Sequence, residues 1–143
     1  MAIVWCRAAA MLAAVAVFTA EAPVDAAEYH TLAAADGTRI DYAVVLPPGF
    51  DPAQSHPVLV ALPPGGQDRD MVEAGLGFWQ DEGPRRGYVV VSPAAPGGKL
   101  FFNDGAAYLA EFLEQLGERY DVAGGKFHLT GISNGGLSAF RAA

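Results

Sequence analysis

From Arg39 to Leu46 apolar and polar side chains alternate, with Ile40, Tyr42, Val44 and Leu46 in one set and Arg39, Asp41 and Ala43 in the other. A period of two puts successive side chains on opposite faces, so Thr38 to Leu46 is expected to form a half-buried strand. Tyr29 to Leu32 precedes it across the turn dipeptide Asp36-Gly37, and the two read as an antiparallel opening pair. The pattern then changes. Val58 to Leu62 and Tyr88 to Ser92 are apolar at nearly every position, as strands buried on both faces of a parallel sheet require. Ala106 to Tyr120 carries Leu109, Phe112, Leu113, Leu116 and Tyr120 at steps of three and four, against Glu111, Glu114, Gln115 and Glu118. That stripe predicts an amphipathic helix, with Asp104 placed to cap it. Met71 to Glu82 fits a further helix, weakened by Gly75 and Gly77, with Trp79 as apolar bulk for the core. Phe127 to Thr130 is a short β-compatible run, followed by a helix-compatible segment from Leu137 to Ala143. The order β-β-β-α-β-α-β, with the start of another helix, is the progression of a layered α/β protein.

Composition keeps this reading and removes others. The 143 residues are 52% hydrophobic and 17% charged, which bounds the chain to one globular domain. The formal net charge is -7 and the nine basic residues are scattered, only Arg85 and Arg86 being adjacent. No basic stripe exists to track phosphates, so nucleic acid is not an expected partner. Arg7 and the apolar run Ala8 to Ala20, followed by small residues up to Val24-Asp25-Ala26, read as a signal peptide over residues 1-26, with the mature chain starting near Ala27. The expected location is secreted or periplasmic, with no stable membrane insertion after cleavage. The single cysteine, Cys6, lies in that leader, so the mature chain has no thiol for disulfides, metal sites or nucleophilic attack.

The candidate chemistry lies in Lys126 to Gly136, K-F-H-L-T-G-I-S-N-G-G, where Gly131, Ser133 and Gly135 form G-x-S-x-G between a strand and a helix. Such a turn forces its serine into strained backbone and presents it at the top of the sheet, while side chains at the glycines would collide with the neighbouring strand and helix. Pro63-Pro64-Gly65-Gly66-Gln67 leaves the carboxyl end of another strand, where open α/β sheets bind ligands. The plain alternatives are a chance glycine turn at Ser133 and a Pro-Gly turn that only reverses the chain at Gly65.

Leu129 to Gly136 (L-T-G-I-S-N-G-G), together with Val58 to Gln67 (V-L-V-A-L-P-P-G-G-Q), resembles the secreted serine esterases of the α/β-hydrolase fold, in particular the polyhydroxybutyrate depolymerase and feruloyl esterase-like branch. The resemblance spans Tyr29 to Ala143. It implies an α/β-hydrolase fold truncated after the nucleophile elbow: an antiparallel opening strand pair, then parallel strands with helices on both faces, with residues 27-143 as its N-terminal portion. It implies Ser133 as nucleophile of a carboxylic ester hydrolase working through an acyl-enzyme. The oxyanion would be held by the backbone N-H of Asn134 and one from the Pro63 to Gln67 turn. Relatives usually read His-Gly-x-Gly there. Pro63 and Pro64 have no N-H to give, which leaves Gly65, with Gly66 as the fallback. The implied substrate is a small-molecule or polymeric ester, with no cofactor.

A serine hydroxyl needs a base, and in this fold an acid and then a histidine follow it in the chain. Ten residues follow Ser133, without Asp, Glu or His, so both partners are missing here. His128 lies on the same strand as the elbow and cannot fold back, while His30 and His56 belong to the opening strand and a loop. Three dispersed histidines without cysteine give no metal-ligand spacing. Phe101 and Phe102, on the Pro93 to Asn103 loop, either line an acyl or aryl pocket as substrate-binding residues or tuck beneath the loop as core. A non-catalytic fragment or binding domain of the same fold, and a serine peptidase, are the competing functions.

Overall fold

A computed structural model describes residues 23-143. Most of the expected leader, with Cys6, lies outside the described residues; Val24 and Ala27 pack against apolar side chains of the sheet. Strands β1 (Glu28–Ala33) and β2 (Arg39–Val45) form the antiparallel opening pair, with Leu32 opposite Ile40 and His30 opposite Tyr42. Strands β3 (Val58–Leu62), β4 (Val89–Pro93) and β5 (His128–Gly131) complete a five-stranded sheet in the order β1-β2-β4-β3-β5. β2 joins β4 antiparallel, whereas β3 runs parallel to both β4 and β5.

Alternation decides which side chains meet which layer. Ile40, Tyr42, Val44, Val58, Val60, Val89 and Val91 face helix α3 (Ala106–Arg119), whose Leu109, Phe112 and Leu116 are buried against them. Ala43, Val45 and Val90 face the other way, against Val72 and Leu76 of the short helix α1 (Val72–Leu76). The central strands are thus covered on both faces, which is why they read as unbroken apolar runs. Helix α4 (Asn134–Ala142) follows β5 and places Ala139 on the α3 side.

Three expectations are corrected. Thr38 to Leu46 is not half-buried throughout: Ala43 and Val45, on the face opposite Tyr42 and Val44, are buried against the second layer. Met71 to Glu82 is not one helix: α1 ends at Leu76, a turn in which Trp79 and Gln80 N-H both bond Leu76 O follows, and α2 spans Glu82–Arg85. The glycines give this stretch little helical preference, and the turn lets Trp79 reach the second layer while Phe78 stays 69% exposed. Asp104 does not cap α3. Gly105 is the N-cap with no side-chain cap, because the preceding loop supplies its own acceptors: Gly105 N-H bonds Leu100 O at 3.0 Å and Ala106 N-H bonds Asn103 O at 3.1 Å.

Candidate active site

The turns that follow β3 and β5 and the loop that follows β4 all leave the carboxyl ends of parallel strands and meet at one end of the sheet. Ser133 sits between β5 and α4 with φ 54° and ψ -119°, a conformation that an L-residue keeps only when its surroundings over-determine it. The surroundings are steric. A Cβ on Gly131 would enter the backbone of Gly135, and one on Gly135 would enter the carbonyl of Leu62 at the end of β3. Strand and helix therefore approach to backbone contact, and the serine between them takes up the turn. It is exposed, and its Oγ makes no hydrogen bond among the described residues.

Among the backbone donors at this end of the sheet that have no partner among the described residues are the N-H groups of Asn134, Gly65 and Gly66. The Asn134 amide lies at the start of α4, where unpaired N-H groups and the helix dipole favour developing negative charge. Gly65 has φ +58°, a left-handed conformation that glycine adopts freely. Its carbonyl accepts the Asn134 side-chain amide at 2.8 Å, so the residue after Ser133 holds the facing loop directly.

Two residues that the sequence did not single out complete the frame. Gln67 is fully buried and bonds Pro63 O, Ser138 Oγ and the Phe101 N-H. Ser138, also fully buried, projects from α4 into that network. The available signal was a glutamine directly after Pro-Pro-Gly-Gly and a serine four residues after Asn134, at the inward position of α4's first turns.

The other candidates fall elsewhere. Phe101 is 2% exposed and belongs to the main core, whereas Phe102 is half-buried. Both border a groove of about 400 Å³ with Leu109, Leu113 and Arg141, and the groove includes neither Ser133 nor Gly65. His30 pairs with Glu28 at 3.1 Å, His56 bonds Asp51 O at 3.0 Å, and His128 stacks edge-on against Tyr88. None of the three is joined to Ser133. Among the described residues no cluster of His, Cys, Asp and Glu is fit to hold a metal ion. No described helix is long and apolar enough to cross a membrane.

No protein-family model matches the chain. Among solved structures it is similar to a thermostable esterase, with a TM-score of 0.63 and 19% identity over 78% of this chain and 36% of that one. It is similar also to Porphyromonas gingivalis dipeptidyl peptidase 4, with a TM-score of 0.64 and 16% identity over 84% of this chain and 19% of the peptidase. The fold is that of the α/β-hydrolases. An isopeptidase aligns less closely, at a TM-score of 0.52 and 18% identity over 78% of this chain. The chain spans about a third of the length of the esterase and about a fifth of the dipeptidyl peptidase. The antiparallel opening pair, the parallel strands and the helices on both faces of this sheet are those that the resemblance implied.

Proposed function

We propose that Ser133 is the nucleophile of a carboxylic ester hydrolase of the polyhydroxybutyrate depolymerase or feruloyl esterase-like kind. The observation that carries this reading is the backbone of Ser133, φ 54° and ψ -119°, which holds an exposed, unbonded hydroxyl beside unpaired N-H groups. In the α/β-hydrolase fold this is the position of the nucleophile elbow, and the turn after the strand corresponding to β3 supplies a second oxyanion donor.

The chemistry follows. A base takes the Ser133 proton as Oγ bonds to the ester carbonyl carbon, and the carbonyl electron pair moves onto oxygen. The Asn134 N-H, with that of Gly65, receives this oxyanion, the term that such preorganised donors stabilise most. Collapse expels the alcohol, which takes the proton back, and water then releases the acid from Ser133 by the same steps. His30, His56 and His128 are engaged elsewhere, so the base and its orienting acid are assigned to groups other than these. The leader pattern at Arg7 to Ala26 supports export to the periplasm or medium, where an ester would be met as food or polymer.

The test is a fluorophosphonate reaction on the gene product at its natural length, followed by mass spectrometry of the Ser133 peptide and turnover of p-nitrophenyl acyl esters. The expected result is an adduct on Ser133 and loss of both adduct and turnover in Ser133→Ala. Ester turnover that survives Ser133→Ala would overturn the proposal. The likeness to a dipeptidyl peptidase, as close as that to the esterase, favours a second reading as a serine peptidase. Dipeptidyl amides assayed beside the esters separate the two by the ratio of kcat/KM.

A further inference from the structure

Gln67 has no solvent exposure, yet it sits in a turn that the reaction above uses only through its backbone. It also adopts φ 54°, and among the described non-glycine residues only Ser133 shares a positive φ. A buried amide in strained backbone persists where its hydrogen bonds repay both penalties. Here they do. The Phe101 N-H can only donate, so the atom facing it at 2.9 Å is Oε1, and this fixes the orientation of the amide. Nε2 then points at Pro63 O, 3.1 Å away, and at Ser138 Oγ, 3.0 Å away. Ser138 accepts that bond, and its own hydroxyl proton faces Asn134 O at 3.0 Å and Gln67 Oε1 at 3.2 Å. The Gln67 main chain adds two bonds: its N-H donates to Pro64 O at 3.0 Å, and its carbonyl accepts the Ala95 N-H at 2.6 Å.

One residue therefore ties together the turn after β3, two points of the loop after β4, and the first turns of α4. Those are the segments that carry Gly65 and Gly66 on one side and Ser133 and Asn134 on the other.

We infer that Gln67 is a positioning residue: its side-chain amide sets the separation between the Gly65 and Gly66 N-H groups and the Ser133 elbow, and so the geometry of the oxyanion site, without touching substrate. The inference rests on the reading of Ser133 as nucleophile. A shift of about 1 Å in such a site costs on the order of a hundredfold in rate, so the loss of this tie is read in kcat.

The experiment compares the natural-length protein with its Gln67→Met variant, equal in length without the amide, and with Ser138→Ala, which removes only the tie to α4. Circular dichroism establishes that each is folded at the assay temperature. Ester kcat and KM are measured together with hydrogen exchange of peptides over residues 63-67, 95-103 and 28-45. In Gln67→Met the expected result is a fall in kcat of roughly tenfold or more with KM within about twofold. Exchange should quicken over 63-67 and 95-103 and stay unchanged over the opening hairpin. Ser138→Ala should move the same quantities less, and it decides the question should Gln67→Met not fold. Unchanged kcat in a folded variant overturns the inference, as does faster exchange spread evenly to the hairpin. A wild-type protein without a Ser133 adduct sinks the nucleophile reading and the catalytic part of this inference with it. A wild type that forms the adduct, beside a Gln67→Met variant with undiminished kcat, sinks the positioning role alone.

Discussion

The side-chain amide of Asn134 donates to the carbonyl of Gly65 at 2.8 Å across 69 positions of sequence. A carbonyl can only accept, so Nδ2 is the atom that faces it, and the bond turns the Gly65-Gly66 peptide so that its carbonyl meets the elbow. The residue that offers a backbone donor beside Ser133 thereby also fastens the loop that offers the second.

Removing that fastening has a calculable size. A neutral hydrogen bond contributes about 1 kcal/mol net, which is roughly fivefold in a rate if the whole of it acts on the transition state. Asn134→Ala in the natural-length protein is expected to lower ester kcat/KM by about five- to tenfold. Its melting temperature should fall by no more than a few degrees, because the side chain is partly exposed and leaves no buried cavity. Asn134→Asp keeps the shape, sets a carboxylate against the Gly65 carbonyl, and should lose more activity than Asn134→Ala. Steady-state kinetics beside a thermal melt would count against the clamp if both variants kept wild-type kcat/KM.

Ser133 itself carries strain that the close approach of Gly131 and Gly135 imposes on the turn. Glycine occupies φ 54° and ψ -119° without a Cβ penalty, so Ser133→Gly should be more stable than the wild type by about 1 kcal/mol, whereas Ser133→Ala should be near neutral. Urea unfolding of the three proteins checks this. Equal midpoints for Ser133→Gly and the wild type would mean that the elbow holds its serine without cost.

The glycines around the elbow separate two roles that composition cannot. Gly135 is buried, and a Cβ on it would enter the carbonyl of Leu62, so Gly135→Ala must push β3 and α4 apart. Overpacking against backbone should cost about 3 kcal/mol or more. Gly117 lies exposed within α3, and a Cβ there would meet only the Phe127 ring at an ordinary 3.8 Å. Gly117→Ala should stabilise the chain by about 0.5 to 1 kcal/mol through helix propensity. The two urea midpoints should move in opposite directions; a Gly135→Ala protein as stable as the wild type would contradict the backbone contact.

These contrasts show which parts of the molecule sequence could reveal. The alternation around Ile40, Tyr42 and Val44 and the stripe of Leu109, Phe112 and Leu116 are local signals, and each element forms where its period says. The elbow was legible because Gly131, Ser133 and Gly135 lie within five residues and leave a short pattern, although the carbonyl that excludes a side chain at Gly135 is that of Leu62 on β3. Gln67 was not legible, because its partners Phe101 and Ser138 lie 34 and 71 positions away and no local period marks them. The helix expected over Met71 to Glu82 failed on weaker ground, where glycines lowered propensity and the pull of Trp79 toward the second layer decided the path. Asp104 failed as a cap because the chain enters α3 through Gly105, with the loop carbonyls of Leu100 and Asn103 accepting the N-H groups of Gly105 and Ala106.

Acid sensitivity should come from two turns far from the elbow. The Asp36 carboxyl is held below its ordinary 3.8 by the Thr38 N-H, which donates to it at 2.8 Å, and further by the Thr38 hydroxyl and Tyr108. Asp51 is lowered likewise, first by the Ala53 N-H at 2.9 Å and then by the Gln54 amide. A folded-state pKa below the unfolded value means that the ionised form is favoured by folding. The stability from these groups is therefore fully present above the unfolded pKa of about 3.8 and is lost as pH falls through the lower, folded value. Asn at either position keeps an acceptor for the turn and removes the titration. The wild-type urea midpoint should hold from neutral pH to about pH 5 and then drop, while the Asp36→Asn/Asp51→Asn double variant should drop less steeply below about pH 4. Parallel curves for the two proteins would place the acid sensitivity in other carboxylates.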